Sequence, residues 1–315
     1  MGRASTGGTT VTSFNRRPRP TFVRATAYSK ITLSLKVLGL RKDGYHEIEA
    51  LTVSATDPSD VIEVSAVPQP SGVSLTLEGD IEYVPPARKN LAVLAAEALM
   101  VQAGRSGHGV HMVLRKKIPA GAGLGGGSAD AAAALHAVRQ LLEIDVDGED
   151  FLKVALKIGS DVPFCCSGGA AWIRGRGEII EPVSLVPDLP LLVVIPPFRL
   201  ATPEVFAAWD SLGGSSTSRR IPAPDPINNL MPELFNDLEL AAEVVEPRLR
   251  EFRQIVERVS GLPAVLAGSG SAYIIPLSLK DAWHLDEVAE ELRRVLRVPV
   301  ATARTADRGV RIARI

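Results

Sequence analysis

The sequence predicts an α+β protein of two domains, and three observations carry that expectation. Strand-like and helix-like periods follow one another without the strict alternation of a doubly wound sheet. The 315 residues are about twice a typical domain length of roughly 150. Apolar residues make up 46% and charged residues 23%, a balance that supports buried cores and excludes a disordered chain.

The elements follow in order. Residues 1–20 are rich in Ser, Thr, Gly and Arg, and no Asp or Glu precedes Asp43. This start has two readings, a disordered N-terminal extension or an import peptide of the plastid type, and it is set outside the fold. Ile31, Leu33, Leu35 and Val37 alternate with polar residues and predict a strand. Asp43-Gly44 predicts a turn, with strands expected at 48–56, 60–66 and 73–78. Asn90 suits the cap of a helix running to about Ala103, and Val110–Leu114 reads as a strand. A glycine loop spans Pro119–Gly127, followed by helices at about 128–142 and 148–157. Residues 170–174 and 178–183 predict a hairpin, and 189–196 an apolar strand. Residues 213–226 read as a surface loop, 247–259 and 280–296 as helices. Short strands at 264–267 and 272–276 flank Gly268-Ser269-Gly270-Ser271. No internal repeat is present, and a domain boundary is expected near 185.

Composition narrows the function. Lys plus Arg is 35 against 36 Asp plus Glu, a formal net charge of -1, so no basic nucleic-acid footprint is expected. Cys165 and Cys166 are adjacent and read as small core residues in a reducing, cytoplasmic setting. No apolar run approaches the roughly 18 residues that span a bilayer, so no membrane partner is expected.

The strongest local signal is Pro119-Ala120-Gly121-Ala122-Gly123-Leu124-Gly125-Gly126-Gly127-Ser128, leading into an alanine-rich helix. Glycines let backbone approach a ligand, and a helix start adds N–H donors and a positive dipole end, so the run reads as a phosphate cradle, with a flexible linker as the plain alternative. Gly121, Gly123 and Gly126 satisfy the dinucleotide fingerprint, but no acid ends a second strand about 20 residues on. The lysine of a Walker A loop is missing, as are the partner motifs of protein kinases.

The same string resembles the ATP-binding motif of the GHMP kinases, which include galactokinase, homoserine kinase and mevalonate kinase. Gly39–Leu51, with Asp43-Gly44-Tyr45-His46 at its centre, resembles the substrate loop of the branch that acts on 4-diphosphocytidyl-2-C-methyl-D-erythritol. Gly159-Ser160-Asp161-Val162-Pro163-Phe164 resembles the catalytic Asp segment, and Gly268–Ala272 the third, glycine-rich motif. The order holds from about Ala25 to Ile275.

The resemblance implies a two-domain GHMP kinase fold. Residues 21–185 would form an ATP-binding domain like domain 2 of ribosomal protein S5, and 186–315 a ferredoxin-like domain. ATP and Mg2+ would serve transfer of phosphate to the 2-hydroxyl of a cytidine-diphosphate-linked substrate in the non-mevalonate isoprenoid pathway. A monomer or weak homodimer is expected.

The resemblance also assigns residues. Asp161 would orient or deprotonate the hydroxyl, with Lys30 as its partner; a helix cap is the plain alternative for Asp161. Pro119, Gly121, Gly123, Leu124, Gly125, Gly126, Gly127 and Ser128 would hold ATP, with Ser128 also a candidate toward Mg2+. Lys116 is either a nucleotide contact or part of a solvated basic cluster, and Asn90 either lies near adenine or caps a helix. Tyr45 and His46 would bind cytosine by stacking and hydrogen bonding. Thr202, Pro203 and Phe206 would close over it, Phe206 having a core role as its alternative, and Gly268, Ser269 and Gly270 would line the substrate. One departure stands out: the family reads Pro-Ala-Lys-x-Asn where this chain reads Tyr28-Ser29-Lys30-Ile31-Thr32. Thr32 offers fewer hydrogen bonds than Asn. A kinase for mevalonate, homoserine or a sugar, or a non-catalytic nucleotide-binding protein on the same fold, are the alternative readings.

Overall fold

Two long strands form the spine, because their apolar residues have two cores to serve. In the computed structural model, which describes residues 22–68, 72–184, 188–214, 234–280 and 282–313, β1 (Phe22–Leu40) and β2 (His46–Val67) pair antiparallel. The N-terminal segment 1–20, most of the 213–226 loop and the boundary near 185 lie outside the described residues. The turn between β1 and β2 is closed by Asp43, whose carboxylate accepts the Tyr45 N–H at 3.2 Å.

β2 is one strand where the sequence suggested two. Tyr28 faces Ser59 and Ser29 faces Ala55, so the residues between 55 and 59 bulge out of the ladder. Pro58 explains this, since it has no N–H to donate to a partner strand. A second shift lies between Thr32 and Ser34 and reverses the side-chain alternation of β1. Ile31 and Leu33 therefore enter one apolar cluster, and Leu35 and Val37 the other. Thr32 and Ser34 are buried as well, because both faces of the strand are covered.

The first cluster lies under α1 (Leu91–Gln102) and α2 (Gly126–Leu141), packed on β1, β2, β3 (Val73–Gly79) and β4 (Gly109–Lys116). α2 begins two residues earlier than its sequence suggested, at a left-handed Gly125. α3 (Gly148–Ile158) is capped by the Asp147 carboxylate, which accepts the Asp150 N–H at 2.7 Å. A short α4 (Val162–Ser167), which the helix-cap alternative for Asp161 implied, leads to the hairpin β5 (Ala170–Gly175) and β6 (Ile179–Pro182).

The second cluster sits between β7 (Pro190–Val194), β9 (Val265–Leu266), β10 (Tyr273–Pro276) and the helices α5 (Thr202–Ser211), α6 (Glu239–Val245), α7 (Arg248–Ser260) and α8 (Leu285–Leu296). The short β8 (Phe235–Asn236) joins β1 in parallel. β11 (Val300–Ala306) bridges the two halves: residues 300–304 pair with β7, and Thr305 and Ala306 with β2. β12 (Val310–Ala313) then returns to β1, so the end of the chain is woven into the sheet of its beginning.

A buried charge cluster fastens the strand ends beneath the glycine loop. Lys116 Nζ reaches Asp60 and, at 2.6 Å, Asp130 Oδ2. Asp60 Oδ1 also accepts the backbone N–H groups of Lys117 and Ile118 at 2.5 and 2.9 Å. Lys116 is thus neither solvated nor on the cavity wall. Burial, with the Asp60 carboxylate adding to it against the pull of Lys116, pushes the Asp130 carboxyl well above its ordinary range. Asp130 Oδ1 is buried and without a hydrogen-bond partner.

The sign of the pH effect follows. The unfolded carboxyl loses its proton near 3.8 while the folded one retains it, so this group makes stability fall as pH rises from about 4 toward the raised value. Asp130→Asn mimics the neutral acid, and in chemical denaturation it should remove that slope while keeping the fold. Lys116→Met leaves Asp60 buried without its counter-ion and should cost about 3–5 kcal/mol.

Candidate active site

The cradle is built from backbone because two neighbours leave no room for side chains. Gly123 has a φ of +77°, and a Cβ there would sit 1.9 Å from the Ala267 carbonyl oxygen. The Ala272 N–H donates to the Ala122 carbonyl at 3.1 Å, and the Lys30 N–H to the Leu124 carbonyl at 2.9 Å. The loop is thereby pinned between β1 and the 268–271 segment. Gly125, left-handed at φ 68°, turns the chain into α2. The first N–H groups of α2 lack partners inside the helix and gather beside the cavity at Gly126, Gly127 and Ser128.

That cavity encloses about 800 Å³. It brings together Lys30, Thr32, Tyr45, His46, Pro119, Gly121, Gly123, Leu124, Gly125, Gly126, Gly127, Ser128, Asp161, Thr202, Pro203, Phe206, Gly268, Ser269 and Gly270, all expected from the sequence. Lys116 and Asn90 are not on its wall. Asn90 caps α1, its Oδ1 accepting the Ala92 N–H at 3.0 Å.

Lys30 Nζ and Asp161 Oδ2 meet at 3.2 Å beside the glycine loop. Asp161 occupies the cap position of α4, yet its side chain makes no capping hydrogen bond. The carboxylate is instead turned to Lys30, with Oδ1 left for a further partner. Elsewhere on the cavity wall, the His46 ring stacks on Phe206 with centroids 4.6 Å apart and planes 25° apart. The Arg176 guanidinium lies 4.8 Å from the exposed Tyr45 ring. Thr202 and Ser269 share a hydroxyl–hydroxyl bond of 2.7 Å, which ties α5 to the third glycine segment.

Sequence reasoning missed three residues here. Asp210 holds His46 Nε2 at 2.9 Å. Arg176 lines the cavity from the β5–β6 turn. Asn236 donates to the Leu266 and Gly268 carbonyls at 2.8 and 2.6 Å and so fixes the third segment. The i, i+4 spacing of Phe206 and Asp210 was the available signal for the first; a tertiary contact alone reveals the others.

Fold and site together define a small-molecule kinase of the GHMP class. The model of the GHMP kinases N terminal domain matches residues 90–169. A 4-diphosphocytidyl-2-C-methyl-D-erythritol kinase from Pelotomaculum thermopropionicum is 37% identical over 254 residues, 79% of this chain and 86% of the relative. Another, from Thermoanaerobacter pseudethanolicus, is 32% identical over 296 residues, 92% of this chain and 98% of the relative. A solved 4-(cytidine 5'-diphospho)-2C-methyl-D-erythritol kinase superposes with a TM-score of 0.71 at 32% identity, covering 90% of this chain and 99% of that one. A homoserine kinase from Cytophaga hutchinsonii, at 17% identity and a TM-score of 0.68, shares the fold. The chain belongs to the 4-diphosphocytidyl-2-C-methyl-D-erythritol kinase family.

The close approach at Gly123 gives a direct test of the cradle. Gly123→Ala combines an unfavourable φ with a collision against backbone, so the loop must move. Expected are a loss of about 1–3 kcal/mol in stability and a rise in the KM for ATP, read by thermal unfolding and steady-state kinetics.

Proposed function

We propose that this protein transfers the γ-phosphoryl group of ATP to the 2-hydroxyl of 4-diphosphocytidyl-2-C-methyl-D-erythritol, a step of the non-mevalonate route to isoprenoid precursors. The observation that carries this reading is the Lys30–Asp161 pair beside the glycine cradle. Phosphoryl transfer asks the protein mainly for positioning and for charge stabilisation. Asp161 Oδ1 accepts the substrate hydroxyl and then its proton, while Lys30 fixes Oδ2 and carries positive charge toward the transferred group. The backbone N–H groups of residues 125–128 hold the phosphates of ATP. Tyr45, His46, Thr202, Pro203 and Phe206 hold the cytidine end, and Gly268, Ser269 and Gly270 the linking region.

Among the described residues no three His, Cys, Asp or Glu side chains gather to hold a metal. The Ser128 hydroxyl, on the cavity wall at the start of α2, would hold Mg2+ together with the phosphates of ATP. Bound there, the ion offsets phosphate charge. The proposed division at 185/186 assigns ATP to the first half and closure over the substrate to the second. Each apolar cluster nevertheless draws residues from both sides of that division, and β11 and β12 pair with β2 and β1, so the halves are interwoven. The two buried free cysteines suit a reducing, cytoplasmic setting, with a monomer or weak homodimer as the proposed form.

The test is release of ADP from ATP, Mg2+ and the cytidine-linked substrate. Turnover with it, and none with mevalonate, homoserine or a sugar, is expected; no release from folded protein overturns the assignment. Asp161→Ala should lower kcat by about 100-fold or more with little change in thermal stability. Near-normal turnover in that variant would remove Asp161 from the mechanism.

A further inference from the structure

The contact between His46 and α5 on the cavity wall bears on substrate choice. α5 holds the His46 ring on three sides. Phe206 covers one face, Trp209 meets it edge-on with centroids 5.6 Å apart, and Asp210 Oδ1 binds Nε2 at 2.9 Å. Phe206 and Asp210 are four residues apart, so one helix face supplies both ring support and carboxylate. The His46 side chain retains 10% of its exposure, and the ring has little freedom to turn.

We propose that Asp210 is a positioning residue that fixes the tautomer of His46 and thereby makes the cavity select cytosine over uracil. An ionised carboxylate can only accept hydrogen bonds, so the proton of a neutral imidazole sits on Nε2 to meet it. Nδ1 is then an acceptor, and among the described residues it has no protein hydrogen-bond partner. Cytosine carries an exocyclic amino group, a donor, at the position where uracil carries a carbonyl oxygen, an acceptor. The amino group satisfies Nδ1. The carbonyl oxygen would face a second acceptor, leaving both groups unpaired as the site closes. The inference rests on the proposed cytidine-linked substrate, and it adds what enforces the choice of base.

The readout is the ratio of CDP to UDP affinity, measured by calorimetry on the full chain. The unaltered protein should prefer CDP. Asp210→Asn can offer an amide donor to Nε2, which releases the tautomer, so the preference should fall about tenfold, the equivalent of one hydrogen bond. ATP affinity and thermal stability should stay unchanged, which a merely structural role for Asp210 would not allow. In a His46→Ala background, Asp210→Asn should have no further effect on the ratio, because its action runs through the imidazole. The inference is overturned if the unaltered protein binds both diphosphates equally, if Asp210→Asn keeps the ratio, or if its effect persists without His46. Preference for CDP without phosphoryl transfer would instead overturn the proposed function and leave this inference standing.

Discussion

The site depends on one close approach of backbone to backbone. Gly123 lies so near the Ala267 carbonyl that any side chain would overlap it. This contact sets the first glycine loop against the third, and hence the first half of the chain against the second. Both sides are held from behind. Asp60 receives the N–H groups that lead into the first loop, and Asn236 binds the carbonyls on either side of Ala267. At Gly123 the first loop has no room for a side chain, and each loop is held by its own polar anchor.

The charges follow the same logic of local control. A formal net charge of -1 says little about a protein whose Lys116 is locked between two carboxylates and whose Lys30 faces a third. The first lysine stiffens the ground beneath the loop; the second stands at the cavity. They differ in what surrounds them, with Lys116 at 3% side-chain exposure and Lys30 at 15%. In a low-dielectric interior a partnered charge becomes structure, while one that keeps access to a cavity can serve a ligand.

Much of this was legible in the sequence, and the reason is physical. A run such as Gly121 to Ser128 has few uses other than close approach to a ligand, and Asp161 stood in a recognisable string, whereas of Pro-Ala-Lys-x-Asn only Lys30 remains. What the sequence hid depends on long-range pairing. Lys116 reads as either a nucleotide contact or part of a solvated basic cluster until β4 is seen to pair with β2, which puts Asp60 beneath it. The two cores served by β1 depend on a bulge at Leu33 that no local pattern marks. Asp210 and His46 are 164 positions apart, and nothing in α5 says which side chain it will hold.

Thr32 shows how a departure from the family string can leave the proposed chemistry in place. It is buried on β1, two residues from Lys30, and faces the cavity near Gly268. Its hydroxyl is shorter than the Asn carboxamide it replaces and offers fewer bonds. Asn236 does not substitute for it, because its amide is committed to the Leu266 and Gly268 carbonyls. The Lys30–Asp161 pair nevertheless keeps its own supports: the Lys30 N–H bond to Leu124 and the helix start at Asp161. Under the proposed function the substitution would therefore act on how tightly the acceptor end of the substrate is held. It does not remove the groups that would receive the proton and stabilise the transferred phosphate, and that argues against a non-catalytic reading of the site.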